Sequence, residues 1–217
     1  MHKQLQPRTL DEIVGQPLVR HLKALAAEPV QSCWLLQGPP GVGKTATSQA
    51  LANELGCKDE FTGRWHVPCT DLGVEQAKEL FSRTLRLRWG SESGFTILIL
   101  EELEWISQQC QRYLKDALDP LTNMPSRLIV VATSNDATGL DPALLERFRI
   151  MTFRNGNYFH EACIERLTVA WEKLTGETCL PYDHESWGVR DNRFSMRSAI
   201  SDLQIASDNL STTYIRE

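Results

Sequence analysis

The sequence predicts an α/β protein: a parallel sheet flanked by helices over residues 1–154, then a small all-α unit over residues 155–217. Three observations carry that prediction. Short apolar runs of strand type alternate with helical segments through the first part of the chain, the pattern of a sheet covered on both faces. A glycine-rich turn stands between the first such run and the first long helix. Beyond about Phe153 strand-like runs cease, and amphipathic helical segments remain.

In chain order, "SCWLLQG" (32–38) reads as a buried strand, followed by a helix over about 43–55 with Gly56 as its stop signal. "RWHVPCT" (64–70) is the second strand, followed by a helix over about 74–85. "FTILIL" (95–100) is the third and "RLIVVATSN" (127–135) the fourth. The segment "LEWISQQCQRYLKDALD" (103–119) between them reads as a helix. Its apolar face is Cys110, Tyr113, Leu114, Ala117, Leu118 and Leu121, and its opposite face carries Gln111, Arg112 and Lys115. Two helical segments follow, over about 158–174 and 195–210, joined by the turn-rich "TGETCLPYD". The boundary between the units is placed at 154–157.

Bulk properties narrow the function classes. The chain has 217 residues, 41% hydrophobic and 24% charged, ordinary values for a folded domain. No apolar run is long enough to cross a bilayer, and "MHKQLQPRTLDE" lacks the apolar core of a secretory signal. Six cysteines without a CxxC pair favour free thiols, so a cytoplasmic protein without membrane contact is expected. Cys57, His66 and Cys69 have unsuitable spacing for zinc, and Cys69 falls in a predicted strand. A net charge of -5 argues against non-specific nucleic-acid binding. Contact with DNA would need a local basic surface or an assembly of several copies. Arg83, Arg86 and Arg88 in "SRTLRLRWG" read as a solvated face.

The strongest signal is "GPPGVGKT", which fits G-x-x-x-x-G-K-[ST] between a strand and a helix. Residues Gly38, Pro39, Pro40, Gly41, Val42, Gly43, Lys44, Thr45 and Ala46 form the expected phosphate cradle. Glycines let backbone N–H groups converge on phosphate oxygens, and the helix N-terminus adds its dipole. Lys44 offsets phosphate charge, and the Thr45 hydroxyl can ligate Mg²⁺. The third strand ends in two adjacent carboxylates, Glu101 and Glu102. Ligands of such sheets gather at the carboxyl ends of strands, so a metal anchor and a base for water fit there, delivered from a neighbouring strand. An acidic helix start is the alternative.

With these motifs the chain resembles the AAA+ ATPases, in particular clamp-loader small subunits of the replication factor C type and more distantly the Holliday-junction branch-migration motor. "PRTLDEIVGQ" (7–16) looks like the family's N-terminal box, which implies that Ile13 and Val14 pack around adenine. The family's Asp-Glu pair is Glu101-Glu102 here, so the resemblance gives metal support to Glu101 and polarisation of water to Glu102. Glu101 is one methylene longer than Asp, which implies a slow ATPase. "VVATSND" places Asn135 at the sensor-1 position, and "LDPALLERFRIMTF" places Arg147 at the arginine finger, with Arg149 the spare. "NRFSMRSAI" places Arg197 at sensor 2, in cis. A finger acting on the neighbouring subunit implies a homo- or hetero-oligomer, a ring or spiral. In clamp loaders the helix after the acid pair follows nucleic acid, which makes Arg112 and Lys115 candidate DNA contacts. The implied function is an ATPase using ATP and Mg²⁺, acting on DNA with a sliding clamp or other loader subunits. A DNA remodeller in recombination or transposition, and an ATP-binding scaffold with little turnover, are the alternatives. The clamp-loader collar and the motor's winged-helix domain have no counterpart in the sequence.

Overall fold

The computed structural model describes residues 6–86, 91–190 and 193–214. Short 3₁₀ turns at Leu10–Glu12 and Pro17–Val19 lead into α1 (Arg20–Ala27). There follow β1 (Ser32–Gln37), α2 (Lys44–Glu54), β2 (Arg64–Pro68), α3 (Val74–Arg86), β3 (Thr96–Glu101) and α4 (Gln108–Ala117). Then come β4 (Leu128–Ser134), α5 (Pro142–Leu145), β5 (Arg149–Thr152), α6 (Asn157–Thr175), β6 (Val189–Arg190), β7 (Arg193–Phe194) and α7 (Met196–Tyr214).

The first five strands form one sheet in the order β2-β3-β4-β1-β5, and every pair in it is parallel. The three central strands β1, β3 and β4 alternate their side chains between two apolar layers, as the pleat requires. Trp34, Leu36, Ile97, Ile99, Ile129 and Val131 enter one cluster, which continues through Phe153 and Trp171 to Leu203 of the C-terminal helices. Cys33, Leu35, Leu98, Leu100, Val130 and Ala132 enter the other, beneath α3 and α4. Because both faces are covered, β4 is buried along its whole length.

The register aligns the carboxyl ends that matter. Gln37 lies opposite Ser134, and Leu100 opposite Ala132, so β1, β3 and β4 open onto one edge. The acid-bearing β3 is not next to β1. Strand β4 lies between them, which corrects the expectation of a neighbouring strand and places Asn135 in the gap.

Several local expectations also change. The four-residue β5 lies inside the segment read only as a finger region, and its "RIMT" is too short to signal a strand. The helix after the acid pair begins at Gln108, not directly after Glu102. Leu103–Trp105 is a 3₁₀ turn, Ile106 is extended, and the Ser107 hydroxyl caps α4 by accepting from the Cys110 amide at 3.2 Å. Leu121 lies beyond the helix end at Ala117 and is 92% exposed, so it leaves the apolar face. Gln111 is buried rather than opposite the core. Its side chain donates to Ile106 O and accepts from the Asp141 amide at 2.7 Å, tying α4 to the turn before α5. Cys69 sits in a 3₁₀ turn after β2, not in a strand. Arg83 pairs with Glu79, the Arg86 side chain is not among those described, and Arg88 lies outside the described residues.

The C-terminal region is helical, with a small antiparallel pair, β6–β7, that the sequence reading lacks. Hydrogen bonds fix the chain on either side of the 154/155 boundary, and one joins the C-terminal region to the β1–α2 turn. Gln16 and Arg154 exchange hydrogen bonds through the glutamine amide, at 2.9 and 3.2 Å. Asn155 Nδ2 donates to Phe194 O at 2.6 Å, and the Met196 amide donates to Gly41 O at 3.2 Å. Gly15, at φ +68°, lets the N-terminal loop press on α6, where an added Cβ would lie 2.7 Å from Phe159 Cα. Gly139 by contrast has nothing within 4 Å. Gly15→Ala is therefore expected to lower stability by about 2–4 kcal/mol, from left-handed strain plus overpacking. Gly139→Ala should be near neutral, and thermal unfolding of the two variants against the parent checks both.

Candidate nucleotide site

The turn from β1 to α2 is built for close approach of backbone. Gly38, Gly41 and Gly43 have φ of 154°, 79° and 96°, and Gly43 caps α2 with no side-chain acceptor. A Cβ on Gly41 would sit 2.2 Å from Ser195 Oγ, so the turn and the start of α7 touch only because residue 41 is glycine. The cavity here is about 240 Å³ and is lined on the turn side by Pro40, Gly41, Gly43, Lys44, Thr45 and Ala46. Glu102, Ser134 and Asn135 line it from the strand ends, and Met196 and Arg197 from α7.

Lys44 is the centre of this arrangement. It is only 8% exposed, and its ammonium donates to Gly38 O (2.6 Å), Pro39 O (2.7 Å) and Asn135 Oδ1 (3.0 Å). No carboxylate is within ion-pair distance of it among the described residues. Burial lowers its pKa to about 8, with Arg197 acting in the same direction and the charges of Glu104 and Glu102 opposing. A desolvated cation held by carbonyl dipoles, beside uncapped helix amides, suits a polyanion.

The two adjacent carboxylates at the tip of β3 are separated by the backbone. Glu102 has φ +57°, the one positive φ at a non-glycine among the described residues. That left-handed residue ends the strand and places Glu102 in the cavity, its amide donating to Thr133 Oγ1 at 3.2 Å. Glu101 instead meets His66 of β2, Oε1 to Nε2 at 3.1 Å. The hydrogen bond from His66 outweighs burial and holds the Glu101 carboxyl below its usual range, helped by the His66 charge, by a bond from the Thr45 hydroxyl and by Arg197. Thr45 and Glu101 thus bring a hydroxyl and a carboxylate together, oxygen donors of the kind Mg²⁺ takes. Among the described residues no group of three or more His, Cys, Asp or Glu is gathered as a metal cage, Cys57, His66 and Cys69 included.

Beside Lys44 lies a residue that the motif reading does not reach. Glu104 Oε1 accepts from both the backbone amide and Nδ2 of Asn135, each at 2.9 Å. Glu104 follows the left-handed turn, where neither strand nor helix periodicity points to a face.

Other expected site residues lie outside the cavity. Ile13 and Val14 are half-buried against the apolar layer that holds Trp171, and neither lines the cavity. Val42 is buried in that layer, and Pro39 faces a separate hollow with Asn155. Arg147 is away from its own chain's cavity, paired with Asp119 Oδ2 at 3.2 Å, while its Nε donates to Lys115 O at 3.3 Å. Arg149 stacks over Trp34, 5.5 Å from the ring centre. Arg112 is exposed on α4, and Lys115 is half-buried with Asp116 at 3.9 Å.

Comparison with known proteins follows the same lines. A replication factor C small subunit from Aeropyrum pernix is 28% identical over 206 residues, which cover 93% of this chain and 61% of that protein. Replication factor C subunit 3 from Saccharomyces cerevisiae is 31% identical over 144 residues, 65% of this chain and 42% of that protein. The chain therefore spans about two fifths to three fifths of these relatives. In structure it resembles the RuvB Holliday junction branch migration motor of Thermotoga maritima, with a TM-score of 0.70, 20% identity, and coverage of 97% of this chain and 67% of the other. No helix among the described residues is long and apolar enough to cross a membrane. The model of the ATPase family associated with various cellular activities matches residues 34–155, more than half of the sequence, and the chain belongs to that AAA family.

Proposed function

We propose that this protein is a clamp-loader-like motor that binds and hydrolyses Mg-ATP within an oligomeric ring or spiral acting on DNA. The observation that carries the hydrolytic reading is the convergence of Lys44, Glu102, Asn135 and Arg197 on one cavity behind the β1–α2 turn. The replication role draws its support from the names of the curated relatives. In this reading residues 1–154 grip the nucleotide and residues 155–217 act as its lid, joined through the Met196–Gly41 contact.

The residues divide the work by charge and reach. Lys44 leaves its carbonyl partners for phosphate oxygens, and Arg197 approaches the same charge from α7. Glu102 accepts a proton from the attacking water, and Asn135 orients that water. Thr45 and Glu101 would hold Mg²⁺, which when bound neutralises phosphate charge and fixes phosphate geometry. Turnover is expected to be slow, because Glu101 is a methylene longer than Asp and rests on His66. Arg147 would give up its own Asp119 to serve a neighbouring subunit's nucleotide, and Arg112 and Lys115 would meet DNA.

Three outcomes are expected. Glu102→Gln should bind ATP as the parent does and release phosphate at least about a hundredfold more slowly in single-turnover assays. Parent turnover should rise with primed DNA and a sliding clamp together; stimulation by branched DNA without a clamp would instead favour a remodeller. The third is a pH effect. Lys44 titrates near pH 8 in the free protein, and a bound polyanion favours its charged form, so binding takes up a proton. ATP affinity should therefore weaken as pH rises through about 8 and be flat below about 7, read by calorimetry across that range.

A further inference from the structure

We propose that Glu104 is a positioning residue that fixes which end of the Asn135 amide faces the reaction, so that this side chain works as a hydrogen-bond acceptor. The inference rests on the hydrolytic reading above and names a device within the same site.

Glu104 and Asn135 are 31 residues apart, the first in the 3₁₀ turn beyond β3 and the second just past β4. One carboxylate oxygen of Glu104 holds both the main-chain amide and the side-chain Nδ2 of Asn135, each at 2.9 Å. Two bonds from one acceptor fix the position of the side chain and its rotation together. On its other side the amide oxygen receives the Lys44 ammonium at 3.0 Å.

The amide therefore sits between an acceptor-only carboxylate and a donor-only ammonium. The orientation of an asparagine amide is usually ambiguous, but here chemistry permits one answer. Turning the amide over would set oxygen against carboxylate and NH₂ against ammonium, forfeiting both charge-assisted bonds.

The second Glu104 oxygen, Oε2, is buried without a hydrogen-bond partner among the described residues. Desolvating a carboxylate oxygen without a partner is costly, and a residue kept only for stability would satisfy both oxygens.

Once Lys44 turns to phosphate, Asn135 Oδ1 is left as a fixed acceptor beside Glu102. An acceptor takes one O–H of a water and leaves the water's lone pair free. A donor at that place would engage the lone pair and oppose attack. The polarity set by Glu104 thus suits nucleophilic water.

Glu104→Ala and Glu104→Gln separate this role from bulk stability. In steady-state phosphate release, Glu104→Ala should lose about tenfold to a hundredfold in kcat with KM for ATP within about twofold. Glu104→Gln can present the same acceptor oxygen and should recover to within about threefold of the parent. The Asn135 side-chain amide protons should exchange slowly in the parent and in Glu104→Gln, and fast in Glu104→Ala. Parental kcat in Glu104→Ala, or a loss of kcat that only tracks a loss of ATP binding and is not recovered by Glu104→Gln, overturns the proposal. If the parent releases no phosphate, the hydrolytic reading fails instead; the hold of Glu104 on Asn135 is then decided by the amide signal alone, and an unmoved signal in Glu104→Ala refutes it.

Discussion

A buried ammonium needs oxygen partners on every free side, and at Lys44 the chain supplies three of them without neutralising the charge. Two are carbonyls of the loop in which Lys44 itself sits, and the third is an amide brought by β4. Full ion pairing would spend the charge on the protein's own fold. Leaving it to carbonyl dipoles keeps it available to an anion, at the cost of a pKa drawn down to about 8. The rest of the site follows from keeping that group in place. The loop has to double back, which puts Gly41 and Gly43 in the left-handed region. The partner amide has to come from the strand beside β1, which the order β3-β4-β1 delivers.

The same economy governs the acids. Two carboxylates adjacent in sequence would repel if both faced one cavity. A single left-handed residue at Glu102 turns the chain between them, and each finds its own surroundings. Glu101 goes to His66 and Thr45, and Glu102 to the cavity. The strain of a positive φ at a glutamate is of order 1–2 kcal/mol, and Thr133 Oγ1 receives the Glu102 amide at the turn.

Much of the fold was legible because it is written in long-wavelength patterns. Runs such as "TILIL" and "LIVVA" are apolar on both faces, short and rich in β-branched residues, which points to buried strands. The phosphate loop is likewise a local device, since its glycines and lysine are contiguous. What stayed hidden depends on where elements stop. Leu121 continues the helical spacing of the apolar face, but the helix ends four residues earlier. Helical spacing puts Gln111 opposite the apolar face with Arg112 and Lys115, yet it is buried and accepts from the Asp141 amide. Strand β5 has four residues, and β6 and β7 two each, below the length at which alternation says anything. Glu104 follows a turn that resets the periodicity, so only its contact with Asn135, across the sheet edge, reveals it.

The central physical claim is that the uncompensated charge of Lys44 is what holds a triphosphate at the end of β1. Equilibrium titration of ATP with Mg²⁺ into the parent and into Lys44→Ala tests it most directly. Binding by the parent that weakens about a hundredfold or more in the variant, with both proteins equally folded, is the expected result. A parent with no affinity for ATP, or a variant that binds as tightly as the parent, would contradict it.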